Sequence, residues 1–566
     1  MTCHTMISAR RLLPFLRWFP LDAATLRADF LAGVTVSLLL IPQAMAYAQL
    51  AGLPPHYGLY TAFLPTIVAA LFGWCSQLHT GPVAMTSLLT MSVVASVSQA
   101  APESEAFIAT AILLTLLAGL IRLAMGLLRL AVVVNFLSHP VVVGFTSAGA
   151  LIIASSQAGL FLGLPLEQHG LYLPNLIRLL GRIPECRPGA LGFGLATLAL
   201  ILALRRWRPL WPGVLIALTL AILASWLIGF ESRYGGQVVG HIPRGLPAFR
   251  LPHGEWSAAP RLLLGAFAIM LVGFMEVVAI CKTLSAKTRE PLNLNQELIG
   301  QGLAGIAGSL FQAYPVSGSF SRSALNLYAG ARTGLSSVFA GLLVLVTLLF
   351  LTPLLYYLPR AALGAVIVAA VIGLVEMGAL ARLWRTSRYD AVAAWATFVA
   401  AIGLAPRVVD GILLGVGLSV AFHLLQLMRP HVAILAPHPD GTLRDAVHHH
   451  LPTHESILAI RFDGRLVFAN ASHFQESILK ALAERPQTRV LLIVASGMNT
   501  IDATGEEMLR HLLRDLAARG LRVAFAQVRW PVLEVFQKTG LHDLIGASNL
   551  FASPEAAYAE LTRKEP

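Results

Sequence analysis

The 566-residue chain is 56% hydrophobic and 12% charged, with mean hydropathy +0.71 and net charge +12. Soluble domains carry about 25% charged residues, so this composition excludes a soluble globular protein and describes one embedded in a lipid bilayer. The basic excess does not mark a nucleic-acid partner, because no basic stripe is interleaved with aromatic residues.

The N-terminal segment, 1–28, contains no long apolar core followed by a small-residue cleavage site, so no cleaved signal peptide is expected. Apolar spans then fall near 30–50, 57–73, 83–99, 106–127, 131–156, 190–204, 210–229, 261–281, 297–312, 320–331, 335–357, 361–379, 388–404 and 408–428. A run of about 20 apolar residues crosses a hydrocarbon core of about 30 Å. Residues 29–430 are therefore the membrane domain. The basic loops "RRWRP" (205–209), "KTLSAKTRE" (282–290) and "ARLWRTSR" (381–388) are expected on the cytoplasmic side. Cys3, Cys75, Cys186 and Cys281 have no metal-ligand spacing and read as free thiols, and no metal site is expected.

The first span contributes "LLIPQAMAYAQLAGLPP" (39–55), in which Gln43 and Tyr47 share one helical face. "LHTGPVAMTSLLTMS" (78–92) breaks at Gly81-Pro82 and resumes as an apolar helix near Val83 and Ala84. "AYPVSGSFSRSALN" (313–326) breaks at Pro315 and Gly318 and resumes near Ser319 and Phe320. A helix that starts inside a membrane leaves its first N–H groups unpaired, and these attract anions. Ser319 and Ser321 add hydroxyls, and Arg322 adds a planar fork suited to an oxyanion. One interrupted span in each half points to a transporter built from inverted repeats, with its substrate at the midplane. Glu276, in "LVGFMEVVAICK" (271–282), is a second intramembrane charge, and the two are expected to meet. An arriving oxyanion would compete with Glu276 for the guanidinium and leave the carboxylate to take a proton.

After residue 430 the character changes. Residues 431–455 read as a linker or the start of a soluble region, and "HHH" (448–450) reads as solvated rather than metal-binding. Residues 456–566 read as a small α/β domain. "ILAIRFDGRLVFAN" (457–470) is expected as a strand pair, and "RVLLIVAS" (489–496) and "LRVAFAQV" (521–528) as strands. The helices "SHFQESILKALAE" (472–484), "GEEMLRHLLRDLAARG" (505–520) and "PVLEVFQKTG" (531–540) alternate with them.

Three stretches, in order, resemble the SulP/SLC26 anion transporter family. They are "DFLAGVTVSLLLIPQAMAYAQLAGLPPHYGLYTAFLP" (29–65), "NQELIGQGLAGIAGSLFQAYPVSGSFSRSALNLYAGARTGLSS" (295–337) and "NTIDATGEEMLRHLL" (499–513), the last resembling the central loop and helix of a STAS domain. The resemblance implies an α-helical polytopic membrane protein of 14 transmembrane segments. These form two inverted 7-segment repeats divided into core and gate subdomains, followed by a cytoplasmic α/β STAS domain. It also implies a homodimer in the inner or plasma membrane, and no enzyme activity.

Carried over by position, it implies substrate contacts at Gln43, Tyr47, Val83, Ala84, Ser321 and Arg322, and proton coupling at Glu276. Thr504 falls where some STAS proteins are phosphorylated, which implies a regulatory site or a cytoplasmic partner that binds the domain. Gln77 departs from the pattern, standing where many members have arginine. The expected function is symport of sulfate or a similar inorganic oxyanion with H+, without a cofactor. A sodium-coupled bicarbonate or dicarboxylate carrier and an uncoupled anion exchanger or channel are the other readings.

Overall fold

Proline, glycine and helix caps set where the apolar runs break. The computed structural model describes residues 13–98, 100–164, 172–208, 211–252 and 256–563. Cys3 and residues 1–12 of the N-terminal segment lie outside them. The chain forms two units, Met1–Ser419 and Val420–Pro566.

Among the described residues, fourteen helices form the membrane segments, in chain order. The first seven are α1 (Ala23–Leu50), α2 (His56–Phe72), α3 (Ala84–Val97), α4 (Glu105–Leu127), α5 (His139–Ser156), α6 (Pro188–Trp207) and α7 (Gly213–Ile228). The second seven are α8 (Ala259–Thr288), α9 (Leu294–Leu310), α10 (Phe320–Tyr328), α11 (Leu335–Val346), α12 (Arg360–Val371), α13 (Arg388–Gly403) and α14 (Val408–Met428). Side-chain caps start several of them: Asp22 accepts from Thr25 N at 2.9 Å, and Asn293 from Gln296 N at 3.1 Å. The expected span at 131–156 is divided into a tight turn, Ala131–Phe136, and α5. Pro140 lies in the first turn of α5, where its missing N–H costs nothing.

The packing repeats itself. α1 packs on α11 as α8 packs on α4, α1 on α10 as α8 on α3, and α5 on α13 as α12 on α6. Each pair maps onto the other when a helix is exchanged for the one seven places along. α1–α4 with α8–α11 make the core subdomain, and α5–α7 with α12–α14 the gate. Small residues let these helices approach closely. A Cβ on Gly119 of α4 would stand 2.9 Å from Ile306 N and 3.1 Å from Gly302 O of α9. A Cβ on Gly58 of α2 would lie 1.9 Å from Ala44 O, so α1 and α2 cross almost backbone to backbone beside Gln43.

Two short strands, β1 (Thr80–Gly81) and β2 (Ser317–Gly318), precede α3 and α10 and pair antiparallel, Thr80 with Gly318 and Gly81 with Ser317. The half-helices α3 and α10 therefore leave this pairing in opposite directions. With 14 and 9 residues they are about 21 and 14 Å long, each too short to span the bilayer alone.

The second unit holds a six-stranded sheet of β3 (Val432–Pro437), β4 (Leu443–Asp445), β5 (Ile457–Phe462), β6 (Val490–Val494), β7 (Arg522–Ala526) and β8 (Leu550–Phe551), in the order β4-β3-β5-β6-β7-β8. β3 is antiparallel to β4 and β5, and the rest are parallel. Helices α15 (Ala471–Ala483), α16 (Ala503–Ala518) and α17 (Trp530–Thr539) cover one face through Phe474, Ile478, Leu509, Leu512 and Phe536. After the short α18 (Leu541–Ile545), α19 (Pro554–Arg563) covers the other with Ala557 and Leu561.

The strand pair expected over 457–470 is a single strand, because both edges of β5 are taken by β3 and β6. Leu466 makes only an isolated bridge to Ile501. Within 431–455, expected as a linker or the start of a soluble region, Val432–Pro437 is already an interior strand of the sheet and Leu443–Asp445 its edge strand.

Candidate functional site

The two half-helices begin differently. α3 starts at Val83 with no side-chain cap, so its first backbone N–H groups have no partner from a capping residue. α10 starts at Ser319, whose Oγ accepts from Arg322 N at 3.4 Å and lies 3.3 Å from Ser321 Oγ. The α10 tip is open, with Phe320 52% exposed and Ser321 exposed, while Val83 and Ala84 are buried. Both tips present positive helix-dipole ends within the membrane domain.

Arg322 is fully buried. Its Nε donates to His79 Nδ1 at 3.2 Å, Nη1 to Gln43 Oε1 at 3.3 Å and Nη2 to the Pro82 carbonyl at 2.8 Å. A guanidinium has five N–H donors, so two remain. Arg322 thus joins α10, the residue before β1, the α3 tip and α1, and the first-span residue Gln43 belongs to the same cluster. Tyr47, one turn on, is buried and lies within electrostatic reach of Arg322.

The expected pairing of Glu276 with Arg322 does not form. Glu276, on α8, accepts from Ser317 Oγ at 3.4 Å, and the same hydroxyl donates to Gly273 O at 2.8 Å. The guanidinium whose charge reaches Glu276 is Arg122, on α4. Arg122 is itself buried and donates to Val316 O at 2.8 Å. The physical reason lies in the turn before α10: Arg322 points back across β1 to α1, while Glu276 lies beside β2. Glu276 therefore touches the strand that leads into the α10 tip, not the arginine on it.

Sequence reasoning missed Arg122 and His79. An arginine within "GLIRLAMGL" (119–127) carries the same membrane cost as Arg322, and that signal alone marks it. His79 had no such signal, because its role depends on Arg322 reaching it across 243 residues. A buried polar ladder stands beside β1. Thr66 Oγ1 donates to Thr80 O at 2.8 Å, Gln301 donates to Thr80 Oγ1 at 2.6 Å and to Glu297 at 3.2 Å, and Glu297 accepts from Trp74 N and Cys75 N. This carboxylate holds the loop before β1 in place. The departing residue Gln77 is also buried, its carbonyl accepting from Asn326 Nδ2 at 3.1 Å.

In the second unit, Asp502 caps α16, accepting from Gly505 N and Phe468 N at 2.8 Å each. Thr504 lies exposed in the first turn.

Residues 26–397 match the Sulfate permease family and residues 449–557 the STAS domain. The chain belongs to the sulfate permease family. This permease is 34% identical over 559 residues to the chloroplastic sulfate transporter 4.1 of Arabidopsis thaliana, covering 95% of this chain and 81% of that one. It is 33% identical over 546 residues to a probable sulfate transporter of Mycobacterium tuberculosis, covering 95% and 96%. Its fold is that of murine Solute Carrier 26 family member A9, an anion transporter solved in the inward-facing state. The TM-score is 0.88 at 22% identity, over 100% of this chain and 96% of that one. The transmembrane domain of the cyanobacterium bicarbonate transporter BicA superposes with TM-score 0.60 at 25% identity, over 71% and 98%. The permease is a membrane transporter and not an enzyme.

Proposed function

We propose that the permease moves sulfate or a sulfate-like oxyanion by alternating access, coupled to protons. The observation that carries this reading is the pair of half-helix N-termini flanking one buried arginine fork with two free N–H donors. Partial charges at the tips and a full charge behind them favour an anion over a neutral solute. Gln43, Tyr47, Val83, Ala84, Ser319, Phe320, Ser321 and Arg322 form the binding region. The relatives named as sulfate transporters support sulfate as its occupant.

Coupling runs through Glu276 and the Ser317 hydroxyl on β2. A proton on Glu276 removes a negative charge near the strand pair that leads into both tips, so anion and proton binding favour each other, as linkage requires. The working unit is a homodimer in the inner or plasma membrane, with the N-terminal segment and the STAS domain in the cytoplasm. The second reading is an uncoupled exchanger or a sodium-coupled bicarbonate carrier. It is favoured by the separation of Glu276 from Arg322 and by the likeness to BicA.

Purified protein in proteoliposomes decides between them, with sulfate, bicarbonate, fumarate and chloride compared under proton or sodium gradients. Sulfate uptake accelerated by an inward proton gradient is expected. Uptake driven by sodium at fixed pH, or indifferent to both gradients, overturns the coupling.

Thr504 is the proposed control point of the STAS domain. Phosphorylation adds about −1.5 to −2 charges at the first turn of α16, beside the Asp502 cap, where it can change docking of a cytoplasmic partner. Thr504→Asp is expected to leave substrate preference unchanged and to alter transport rate or partner binding. Equal rates and equal partners in both proteins remove this role. Asp502→Ala, by contrast, loses a helix cap and is expected to lower the domain's stability by about 1 kcal/mol in denaturant unfolding.

A further inference from the structure

His79 is held more tightly to α10 than any charge balance requires. Its backbone N–H donates to Ser323 Oγ at 2.9 Å, and its carbonyl accepts from Ser319 N at 3.0 Å. These two serines flank Arg322 on the first turn of α10. The third link is side chain to side chain, Arg322 Nε to His79 Nδ1 at 3.2 Å. A guanidinium N–H can only donate, so Nδ1 accepts, the ring is neutral and its proton sits on Nε2. That Nε2 is buried and has no hydrogen-bond partner. An unsatisfied buried donor is costly, so a ring kept here is explained by what its other nitrogen does.

We propose that His79 is a positioning residue for anion transport: its Nδ1 holds the Arg322 guanidinium across β1, fixing the positive charge behind the two helix tips. The inference rests on the anion-site reading above. Three acceptors hold the fork, and two of them have other duties. The Pro82 carbonyl belongs to the backbone at the α3 tip, and Gln43 belongs to α1, which packs on α10. His79 alone bonds Nε, the atom that sets the plane and direction of the fork. Without it the guanidinium can rotate about its stem, and its two free donors lose their fixed direction. Anion affinity then falls, while the rate at saturating anion changes less, because no charged group is removed.

The test uses full-length protein in proteoliposomes and equilibrium exchange of radiolabelled sulfate at equal pH on both sides. Proton coupling then does not enter. His79→Ala is expected to raise the half-saturating sulfate concentration about tenfold, the size of one lost charge-assisted hydrogen bond, with the maximal rate within about twofold. His79→Asn places an amide oxygen near the position of Nδ1 and is expected to restore the concentration to within about threefold of wild type. His79→Gln, whose amide falls nearer Nε2, is not. Unchanged affinity in His79→Ala overturns the proposal, and so does rescue by glutamine in place of asparagine, which would make Nε2 the working atom.

If His79→Ala does not yield monodisperse protein, the asparagine and glutamine variants decide. Should wild type exchange bicarbonate or chloride but no sulfate, the sulfate reading falls. The same comparison is then made on the anion that is exchanged, so the two failures are told apart.

Discussion

Arg322→Ala lowers anion uptake by one to two orders of magnitude. The substitution removes the full positive charge between the helix tips and the two N–H donors that remain after the internal bonds are made. Losing a charge-assisted contact costs about 1.5–3 kcal/mol, or roughly ten- to a hundredfold in affinity. The structure adds a second cost that the sequence did not show. His79 Nδ1, Gln43 Oε1 and the Pro82 carbonyl all lose their donor together. Each buried acceptor left unpaired costs about 1–3 kcal/mol. The three bonds predict a lowered thermal stability as well. Arg322→Lys keeps the charge but not the planar fork, and is expected to recover uptake only partly. Substrate affinity of the purified variants, measured by calorimetry beside their melting temperatures, separates the effects. Wild-type affinity in folded Arg322→Ala removes the arginine from the site.

Glu276→Gln uncouples transport from the proton gradient. The amide mimics the protonated carboxyl and can still accept from Ser317, so folding is expected to survive. Anion binding and exchange at equal pH persist, because no group at the helix tips is changed. Uptake no longer accelerates when the outside is made acidic. For wild type the sign is the reverse: acid outside favours the protonated carboxyl, which binds the anion better, so uptake rises as external pH falls. Measuring sulfate uptake against an imposed pH step in both proteins checks this. Acceleration that survives in Glu276→Gln moves the proton site elsewhere.

Much of this protein was legible in one dimension. Apolar runs of bilayer length, cut by Gly81-Pro82 and by Pro315 and Gly318, located the half-helices α3 and α10, because proline and glycine break helices whatever surrounds them. The alternation of buried strands with amphipathic helices after residue 456 marked the α/β unit for an equally local reason. The four-residue spacing of Gln43 and Tyr47 placed both in one buried region, and Gln43 does meet Arg322.

The partners of the buried charges were a different matter. Arg322 and Glu276 were matched by sign alone, since intramembrane charges seldom stand unpaired. Arg322 is instead satisfied by neutral acceptors 240 to 279 residues away, just before β1, at the α3 tip and on α1, and Glu276 by a serine on β2. A strand register can be guessed from alternation, yet the strand pair expected over 457–470 failed because β3 and β6 had already claimed both edges of β5. The sequence by itself determined where helices break, which face of each is polar and which part of the chain lies outside the bilayer, because those follow from neighbours along the chain. Only the tertiary structure decided which buried polar group satisfies which, because a hydrogen bond is won by the acceptor that packing brings within about 3 Å, whatever its charge.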